Sequence, residues 1–323
     1  MVGDGESHRD RSAAGPATDE ERVLVLNPES GDGTDTDTAR DLAAEYGFAV
    51  QETESRGDGV TLAREAAAAG ASLVAAGGGD GTVNEVVAGV DEADALDRMT
   101  VGVVPLGTGN NFAGNLGLTG VEQSFEVLDA GERRRIDLGR ADGRVFVNSC
   151  VGGLTAAASS ETSSELKERF GVLAYVATTL RKLREYDDVR MTVETGGVDG
   201  PVEWHGEALA LFVGNARRVG TERRSQADVE DGRFDVAVIE TMPPRELLGE
   251  AALYRLFGAE SEYVTRLQTP GLTARTSTPV EFSFDGEMAT LDSLTATTLP
   301  GALETCVGEA YDPDPDLDPD DEG

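Results

Sequence analysis

The chain has 323 residues, of which 39% are hydrophobic, so it is long enough to bury a sizeable core and to form two domains. Its 61 acidic residues outnumber its 27 basic residues and give a formal net charge of −34, which excludes a basic surface for nucleic acid. Lysine occurs only at Lys167 and Lys182, and this acidic, lysine-poor composition favours a halophilic protein, with an ordinary acidic cytosolic protein as the alternative.

Cysteine, histidine and hydrophobic runs narrow the class further. Cys150 and Cys306 lie in predicted strands, and no secretory leader is recognisable, so we expect a cytoplasmic protein with reduced thiols. No apolar run approaches the roughly 18 residues that a membrane-spanning helix needs, so any membrane contact is expected to be peripheral. His8 and His205 are the only histidines, which disfavours a histidine-rich metal site or a catalytic triad.

From residue 22 to residue 137, short apolar runs alternate with helical patterns. The predicted strands are RVLVLN, FAVQET, SLVAA and TVGVVP, and the predicted helices are DTARDLAAEYG, TLAREAAAAG and GTVNEVVAGV. Strands that alternate with helices are typical of a parallel sheet covered by helices. This part of the chain is therefore predicted to be a doubly wound α/β domain.

After Asp137 the pattern changes to alternating apolar and polar residues. The segments VRMTVE, ALALFVGN, FDVAVIE and VEFSF have this period of two, which predicts an antiparallel β-rich domain. Two helical patterns interrupt it, one over residues 164–186 and one after Pro243 and Pro244. Arg181, Lys182 and Arg184 end the first of these helices and are candidates for contact with a lipid surface or for a solvated helix C-terminus.

Three glycine-containing turns follow predicted strands of the α/β part. They are LNPESGDG from Leu26, GGGDGT from Gly77 and PLGTGNNFA from Pro105. In an open α/β sheet, ligands bind where the strands end, and glycine permits close approach of peptide N–H groups to phosphate. These turns predict a nucleotide site. The carboxylate of Asp80 would repel phosphate, so it indicates either a bridging metal ion or a helix N-cap.

Together with FVNSCVGG, FVGN, EDGRFDV and FDGE in this order, these segments resemble the diacylglycerol kinase catalytic family, whose distant relatives are the NAD kinases. The resemblance implies an N-terminal doubly wound α/β nucleotide-binding domain and a C-terminal antiparallel β-sandwich domain. The expected division is a disordered segment at 1–20, an ATP-binding domain at 21–138 with a returning strand at 302–308, a lipid-substrate domain at 139–301, and a disordered acidic tail at 309–323.

The resemblance also implies roles for individual residues. The implied ATP-binding residues are Asn27, Ser30, Thr53, Gly78, Gly79, Gly81, Thr82, Asn84, Glu85, Gly107, Thr108 and Asn110. Asp285 is expected to be the base that orients the lipid hydroxyl, with Glu287 assisting and Asp80 as an alternative base or a metal ligand. Asp228 and Asp231 are expected to bind a structural Mg²⁺. Without the other motifs, the Asp285–Gly286 pair would indicate only a hairpin turn.

The implied function is an ATP- and Mg²⁺-dependent lipid kinase at a membrane surface, acting on a diacylglycerol-like lipid or, in an archaeal-type halophile, an isoprenoid ether lipid. A soluble NAD kinase and a non-catalytic nucleotide-binding regulator are the alternatives, and a homodimer is left open. The segment TERRSQADVEDG from Thr221 lacks the glycine-rich stretch and the proline of the family. Its arginines, with Arg217 and Arg218, indicate either contact with an anionic headgroup or a solvated loop.

Overall fold

A computed structural model of the chain describes residues 22–31, 33–153, 189–197, 200–218, 226–241 and 261–315. Several predicted features lie outside these ranges: the segment 1–20, the helices at 164–186 and after Pro244, the arginines Arg223 and Arg224, and residues 316–323. In the part that is described, none of the helices combines the length and the apolar character needed to cross a membrane.

The N-terminal part is a parallel sheet with helices packed on it. Its strands are β1 (Arg22–Leu26), β2 (Phe48–Glu52), β3 (Leu73–Gly78) and β4 (Thr100–Pro105), and its helices are α1 (Thr34–Glu45), α2 (Asp58–Ala69), α3 (Asp80–Glu92), α4 (Asn111–Asn115) and α5 (Val121–Ala130). The strand order is β4-β3-β1-β2, with parallel pairing throughout. All four strands therefore end at one edge.

The central strands are buried on both faces, which explains their continuous apolar runs. Every residue of β3 and β4 is buried, and the alanine-rich inner face of α2 and the valine-rich inner face of α3 belong to the same core. Full burial of one valine or leucine side chain stabilises a fold by about 1.5–3 kcal/mol. The sheet therefore provides a rigid base for the turns at its edge.

The second part is built from antiparallel strands. They are β5 (Glu132–Ala141), β6 (Arg144–Phe146), β7 (Ser149–Gly153), β8 (Val189–Gly197), β9 (Gly200–Gly214), β10 (Phe234–Glu240), β11 (Val264–Thr269), β12 (Gly271–Phe284) and β13 (Glu287–Val307). Their core contains Phe146, Phe234, Phe282 and Phe284, each at most 1% exposed. The predicted fold class, an α/β domain followed by an antiparallel β-sandwich, is confirmed.

Strand β13 connects the two parts. Its N-terminal half pairs with β12, and its C-terminal half pairs with β5 and then, in parallel, with β4 through Glu304 and Thr305. The chain beyond it packs back on the protein: the Tyr311 hydroxyl donates to Glu230 at 2.7 Å, and the Arg134 guanidinium lies over the Tyr311 ring. These contacts involve the first residues of the segment that the sequence assigns to a disordered tail.

Candidate active site

The three glycine turns come together at the edge where the parallel strands end. The Asn27 N–H donates to the Gly77 carbonyl at 2.8 Å, the Leu106 N–H donates to the Gly78 carbonyl at 3.0 Å, and the Thr53 N–H donates to the Leu26 carbonyl at 2.9 Å. These bonds extend the sheet ladder by one residue into each loop. The loops are thereby aligned side by side, as the sequence predicts.

Two of these turns touch each other through glycine. A Cβ placed on Gly107 would lie 2.6 Å from the Gly79 Cα atom, so only glycine allows this approach. Gly78 is equally constrained, since a Cβ there would collide with the side chain of Thr82. Thr108 lies exposed on the turn PLGTGNNFA. Asn110 in the same turn has a backbone φ of 41°, and its side-chain amide donates to the Gly107 carbonyl at 2.6 Å.

A polar cavity of about 440 Å³ lies beside the turn GGGDGT at the start of α3. Nine of the residues that the sequence assigns to the site line it: Asn27, Ser30, Thr53, Gly79, Gly81, Thr82, Asn84, Glu85 and Glu287. Sequence reasoning missed Glu29, Glu54, Ser55 and Arg56, which also line the cavity, as does Gly286 of the FDGE segment. Their position in the sequence was the available signal, because three of the four missed residues follow Thr53 directly.

Two neighbouring residues of α3 have different roles in this cavity. Asn84 is 5% exposed, and its Oδ1 atom has no hydrogen-bond partner among the described residues. This atom is one of five buried side-chain oxygens of this kind among the described residues, and in this cavity it can accept a hydrogen bond from a ligand. Glu85 instead accepts from the N–H groups of Gly57 and Gly59, so it holds the start of α2. The residues present fit a nucleotide.

Asp80 is the first residue of α3, but its carboxylate caps a different helix. Oδ1 accepts from the Phe112 N–H at 2.9 Å, and Oδ2 accepts from the N–H and the side-chain amide of Asn111 at 3.1 and 3.0 Å. Asn111 in turn accepts from the Arg217 guanidinium at 3.0 Å. Asp80 therefore fixes α4 and, through Asn111, reaches the start of the arginine-rich loop.

The Asp285–Gly286 pair forms a two-residue hairpin turn between β12 and β13. Both residues have positive φ, 48° and 98°, as the tight turns that match strand twist require. The Asp285 carboxylate accepts from three peptide N–H groups, those of Val147, Asn148 and Ser149, at 2.6–3.1 Å. The pair therefore forms the hairpin turn that its sequence indicates, and this turn carries Glu287 into the lining of the cavity.

Burial raises the pKa of Asp285 to about 6. The three N–H groups oppose this shift, and the charge of the Asp80 carboxylate adds to it. With this pKa the Asp285 carboxylate is about 90% ionised at neutral pH. Two negative groups therefore stand beside the phosphate turn, a position suited to a cation.

The predicted structural-metal residues lie away from the cavity, in the loop before β10. Asp228 and Asp231 accept hydrogen bonds from the N–H groups of Glu230 and Arg233, each at 2.8 Å. Loss of hydration, with nearby carboxylates, raises the pKa of Asp231 to about 6. No group of three or more His, Cys, Asp or Glu side chains within the described ranges could hold a metal ion, so main-chain carbonyls would have to complete such a site.

Comparison with known proteins places this cleft in a family. Residues 21–141 match the diacylglycerol kinase catalytic domain, and residues 148–307 match the YegS C-terminal NAD kinase beta sandwich-like domain. A Pseudomonas fluorescens protein named "Probable lipid kinase YegS-like" is 34% identical over 83% of this chain and 88% of its own length. A protein of the same name from Chromohalobacter salexigens is 32% identical over 87% of this chain and 91% of its own.

Solved structures agree on the fold. A crystal structure of a diacylglycerol kinase from Bacillus anthracis strain Sterne superposes with a TM-score of 0.69 at 20% identity, covering 91% of this chain and 98% of that one. The fold and cleft define a kinase with an α/β catalytic unit and an NAD kinase-like β-sandwich. The chain belongs to the diacylglycerol kinase catalytic domain family and is similar to its YegS-like members.

Proposed function

We propose that the protein is an ATP- and Mg²⁺-dependent lipid kinase that transfers the γ-phosphate of ATP to a hydroxyl of a diacylglycerol-like lipid. The observation that carries this proposal is that Gly79 of the phosphate turn and Glu287 of the hairpin turn line the same cavity. Phosphoryl transfer needs positioning, charge neutralisation and a group that takes the acceptor proton. The lining supports this proposal because it contains part of the phosphate turn, the cation Arg56 and the carboxylate of Glu287.

In this proposal the nucleotide lies in the 440 Å³ cavity. The peptide N–H groups of the Gly78–Thr82 turn face the phosphates at the N-terminus of α3, and Asn84 accepts a hydrogen bond from the nucleotide. The second turn, with Gly107, supports the first by direct contact. A bound Mg²⁺, for which Asp80 is the proposed ligand, would neutralise phosphate charge.

The acceptor hydroxyl loses its proton while its oxygen bonds to the γ-phosphorus, and the bond from that phosphorus to the β–γ bridging oxygen breaks to leave ADP. We assign the proton to Glu287, because it lines the cavity. Asp285 is held by three N–H groups, so we assign it to positioning the turn. This division differs from the sequence expectation, in which Asp285 takes the proton and Glu287 assists.

The β-rich part would present the lipid. We propose that it docks peripherally on the cytoplasmic face of a membrane and serves phospholipid metabolism, with residues 21–138 and 302–308 as the ATP-binding domain and 139–301 as the lipid domain. An isoprenoid ether lipid is the proposed acceptor if the cell is halophilic, as the net charge of −34 suggests. Asp228 and Asp231 would hold a structural Mg²⁺ with main-chain oxygens.

The test is transfer of labelled γ-phosphate from ATP, with Mg²⁺ in concentrated salt, to a total lipid extract and in parallel to NAD. Label in a chloroform-soluble product supports the lipid kinase, and label only in the aqueous nucleotide shows an NAD kinase instead. Label in neither fraction, with ATP still bound, favours a nucleotide-binding regulator.

Two variants test the division of roles. Glu287→Gln should lower kcat by about 10²-fold or more with little change in ATP binding, as expected for a lost general base. Asp285→Asn should lower turnover by a similar factor and also raise the KM for lipid, because the amide keeps only one acceptor oxygen and its NH2 group would face peptide N–H donors. Full activity of Glu287→Gln would remove Glu287 from the proton transfer.

A further inference from the structure

Glu85 lines the 440 Å³ cavity, but its carboxylate is bound at the start of α2. Oε1 accepts from the Gly57 N–H at 2.9 Å, and Oε2 accepts from the Gly59 N–H at 3.1 Å. Gly57 precedes α2 and has no side chain, so it cannot cap the helix itself. The N–H groups of a first helical turn lack partners within the helix and form the positive end of its dipole. A carboxylate from α3 therefore caps α2, and that helix engages its negative charge.

The fit between this carboxylate and the helix start is close. A Cβ placed on Gly59 would lie 2.7 Å from Oε2 of Glu85 and 2.9 Å from its Cβ atom, so a larger residue there would displace the carboxylate. A carboxylate has two acceptor oxygens and no donor, which matches two N–H groups. A glutamine would offer one acceptor and would turn its NH2 group towards the other N–H. The position therefore requires the acid and not its amide.

The residues before α2 form a turn that is held at both ends. The Asp58 carboxylate accepts from the N–H groups of Glu54 and Ser55 at 2.9 and 2.8 Å. Arg56 lies between Ser55 and Gly57, and the N–H groups of both neighbours are thus bound to carboxylates. Fixing the backbone in advance reduces the entropy that a group loses when its ligand binds. The turn is therefore a preorganised support for the side chain of Arg56.

The side chain of Arg56 extends from this turn to the other part of the protein. Its guanidinium donates to the main-chain carbonyl of Gly286, the residue before Glu287, and all three residues line the cavity. The two carboxylates that fix the turn thereby determine where the guanidinium lies in the cavity. A cation held in this way is suited to the phosphates of a nucleotide.

We propose that Glu85 is a positioning residue that acts on the nucleotide through Arg56. By capping α2, it fixes the turn from which Arg56 extends into the cavity and reaches the hairpin turn. This inference rests on the proposed function only in taking ATP as the ligand of the cavity. It differs from the sequence expectation, in which Glu85 binds ATP itself, because a carboxylate in direct contact with phosphate would repel it.

The experiment measures ATP binding to the full chain by calorimetry, with Mg²⁺ in concentrated salt, so no lipid acceptor is needed. The test variants are Glu85→Gln, Arg56→Gln and the double variant that combines them. Loss of a charge-assisted contact weakens binding about tenfold, so each single variant should bind ATP about tenfold more weakly. Because both changes act through one guanidinium group, the double variant should also be about tenfold weaker, whereas independent effects would multiply to about a hundredfold.

Glu92→Gln is the matched control. Glu92 lies two turns beyond Glu85 on the same face of α3 and pairs with Arg64 of α2 at 2.9 Å. It therefore also joins α3 to α2, but it is not one of the residues that line the cavity. ATP affinity should be unchanged in this variant. Equal weakening by Glu92→Gln and Glu85→Gln would show that only the general packing of the two helices matters and would overturn the proposal.

The remaining outcomes are also decisive. Unchanged affinity of Glu85→Gln, or a hundredfold loss in the double variant, would overturn the proposal. If unfolding curves show that Glu85→Gln is not folded, Glu85→Asp keeps the charge but is shorter by one CH2 group. It should weaken ATP binding several-fold, and only while Arg56 is present. A wild type that binds ATP but transfers no phosphate would contradict the lipid kinase alone, and independent losses in an active kinase would contradict this inference alone.

Discussion

The Arg56 guanidinium donates a hydrogen bond of 3.3 Å to the main-chain carbonyl of Gly286, 230 residues away in the chain. Arg56 follows β2 in the α/β part, and Gly286 lies in the hairpin turn that carries Glu287. Four glutamates line the cavity beside them, and Arg56 is the cation among the described lining residues. The contact joins the two parts of the protein across the proposed nucleotide site and places a positive charge in it.

Replacing Arg56 with glutamine should therefore raise the KM for ATP by about tenfold, because a charge-assisted contact contributes roughly 1.5–3 kcal/mol. The kcat should also fall, since the turn that carries Glu287 loses its link to the α/β part. Steady-state kinetics at varied ATP, with the lipid acceptor at saturation, would measure both.

Arg64→Gln is the matched control for this prediction. Arg64 lies on α2 and pairs with Glu92 at 2.9 Å, with both side chains about half exposed. Exposed pairs contribute at most about 1 kcal/mol to stability and none to the cavity. Kinetic constants for Arg56→Gln that match those of Arg64→Gln would contradict the role given to Arg56.

Gly107→Ala should disrupt the contact between the two glycine turns. The added Cβ would lie 2.6 Å from the Gly79 Cα atom, which belongs to the backbone and cannot move aside as a flexible side chain would. Overpacking of this kind lowers the free energy of unfolding by about 1–3 kcal/mol. Denaturant unfolding would measure this loss, and ATP affinity should fall with it as the phosphate turn shifts.

Gly114→Ala provides the comparison. Gly114 lies in α4 and is exposed, and a Cβ there would meet nothing within 4 Å. Alanine is favoured over glycine in helices by about 1 kcal/mol, so this variant should be as stable as the wild type or slightly more so. If the two variants were equally stable, the close approach at Gly107 would not be the constraint that we describe.

Local pattern predicted much of the fold from the sequence. The predicted strands TVGVVP and FDVAVIE coincide with β4 and β10, because apolar runs and alternation record burial directly. The glycine turns were also placed at the correct edge, since parallel strands necessarily end together. These features depend on residues that are neighbours in the chain.

The contacts of the acidic residues could not be predicted in the same way. Asp80 binds Phe112, 32 residues away, and Asp285 binds Val147, 138 residues away. Their partners are determined by the pairing of strands that are distant in the chain, β3 with β4 for Asp80 and β12 with β7 for Asp285, which no local pattern records. The sequence therefore singled out these carboxylates as candidates but could not predict which of them faces the cavity.

The stability of the protein should depend on pH through Asp285. Its pKa in the folded state is raised to about 6. Between the ordinary aspartate pKa and pH 6, the folded protein therefore still binds a proton that the unfolded chain has released. Stability from this group is therefore present at low pH and is lost as pH rises through about 6. The slope is at most about 1.4 kcal/mol per pH unit.

Asp285→Asn removes this titration, so the difference in unfolding free energy between wild type and variant should change between pH 4 and pH 6 and then level off. Other carboxylates, including Asp231, titrate in both proteins and cancel in the difference. Denaturant unfolding at several pH values in fixed salt measures it. A constant difference across the whole range would mean that the Asp285 pKa is not raised.

Mg²⁺ should stabilise the protein through the loop before β10 in the absence of nucleotide. At a hundredfold excess over Kd, a ligand that binds only the folded state adds about 2.7 kcal/mol to the free energy of unfolding. The rise in Tm on adding Mg²⁺ should disappear in Asp231→Asn, because its carboxylate is the proposed ligand. The control is Asp129→Asn, an exposed partner of Arg22, which should keep the rise. Potassium chloride of equal ionic strength screens the net charge to a similar extent. If potassium chloride reproduces the rise in Tm, or if Asp231→Asn retains the rise, the effect is general charge screening and not a bound metal ion.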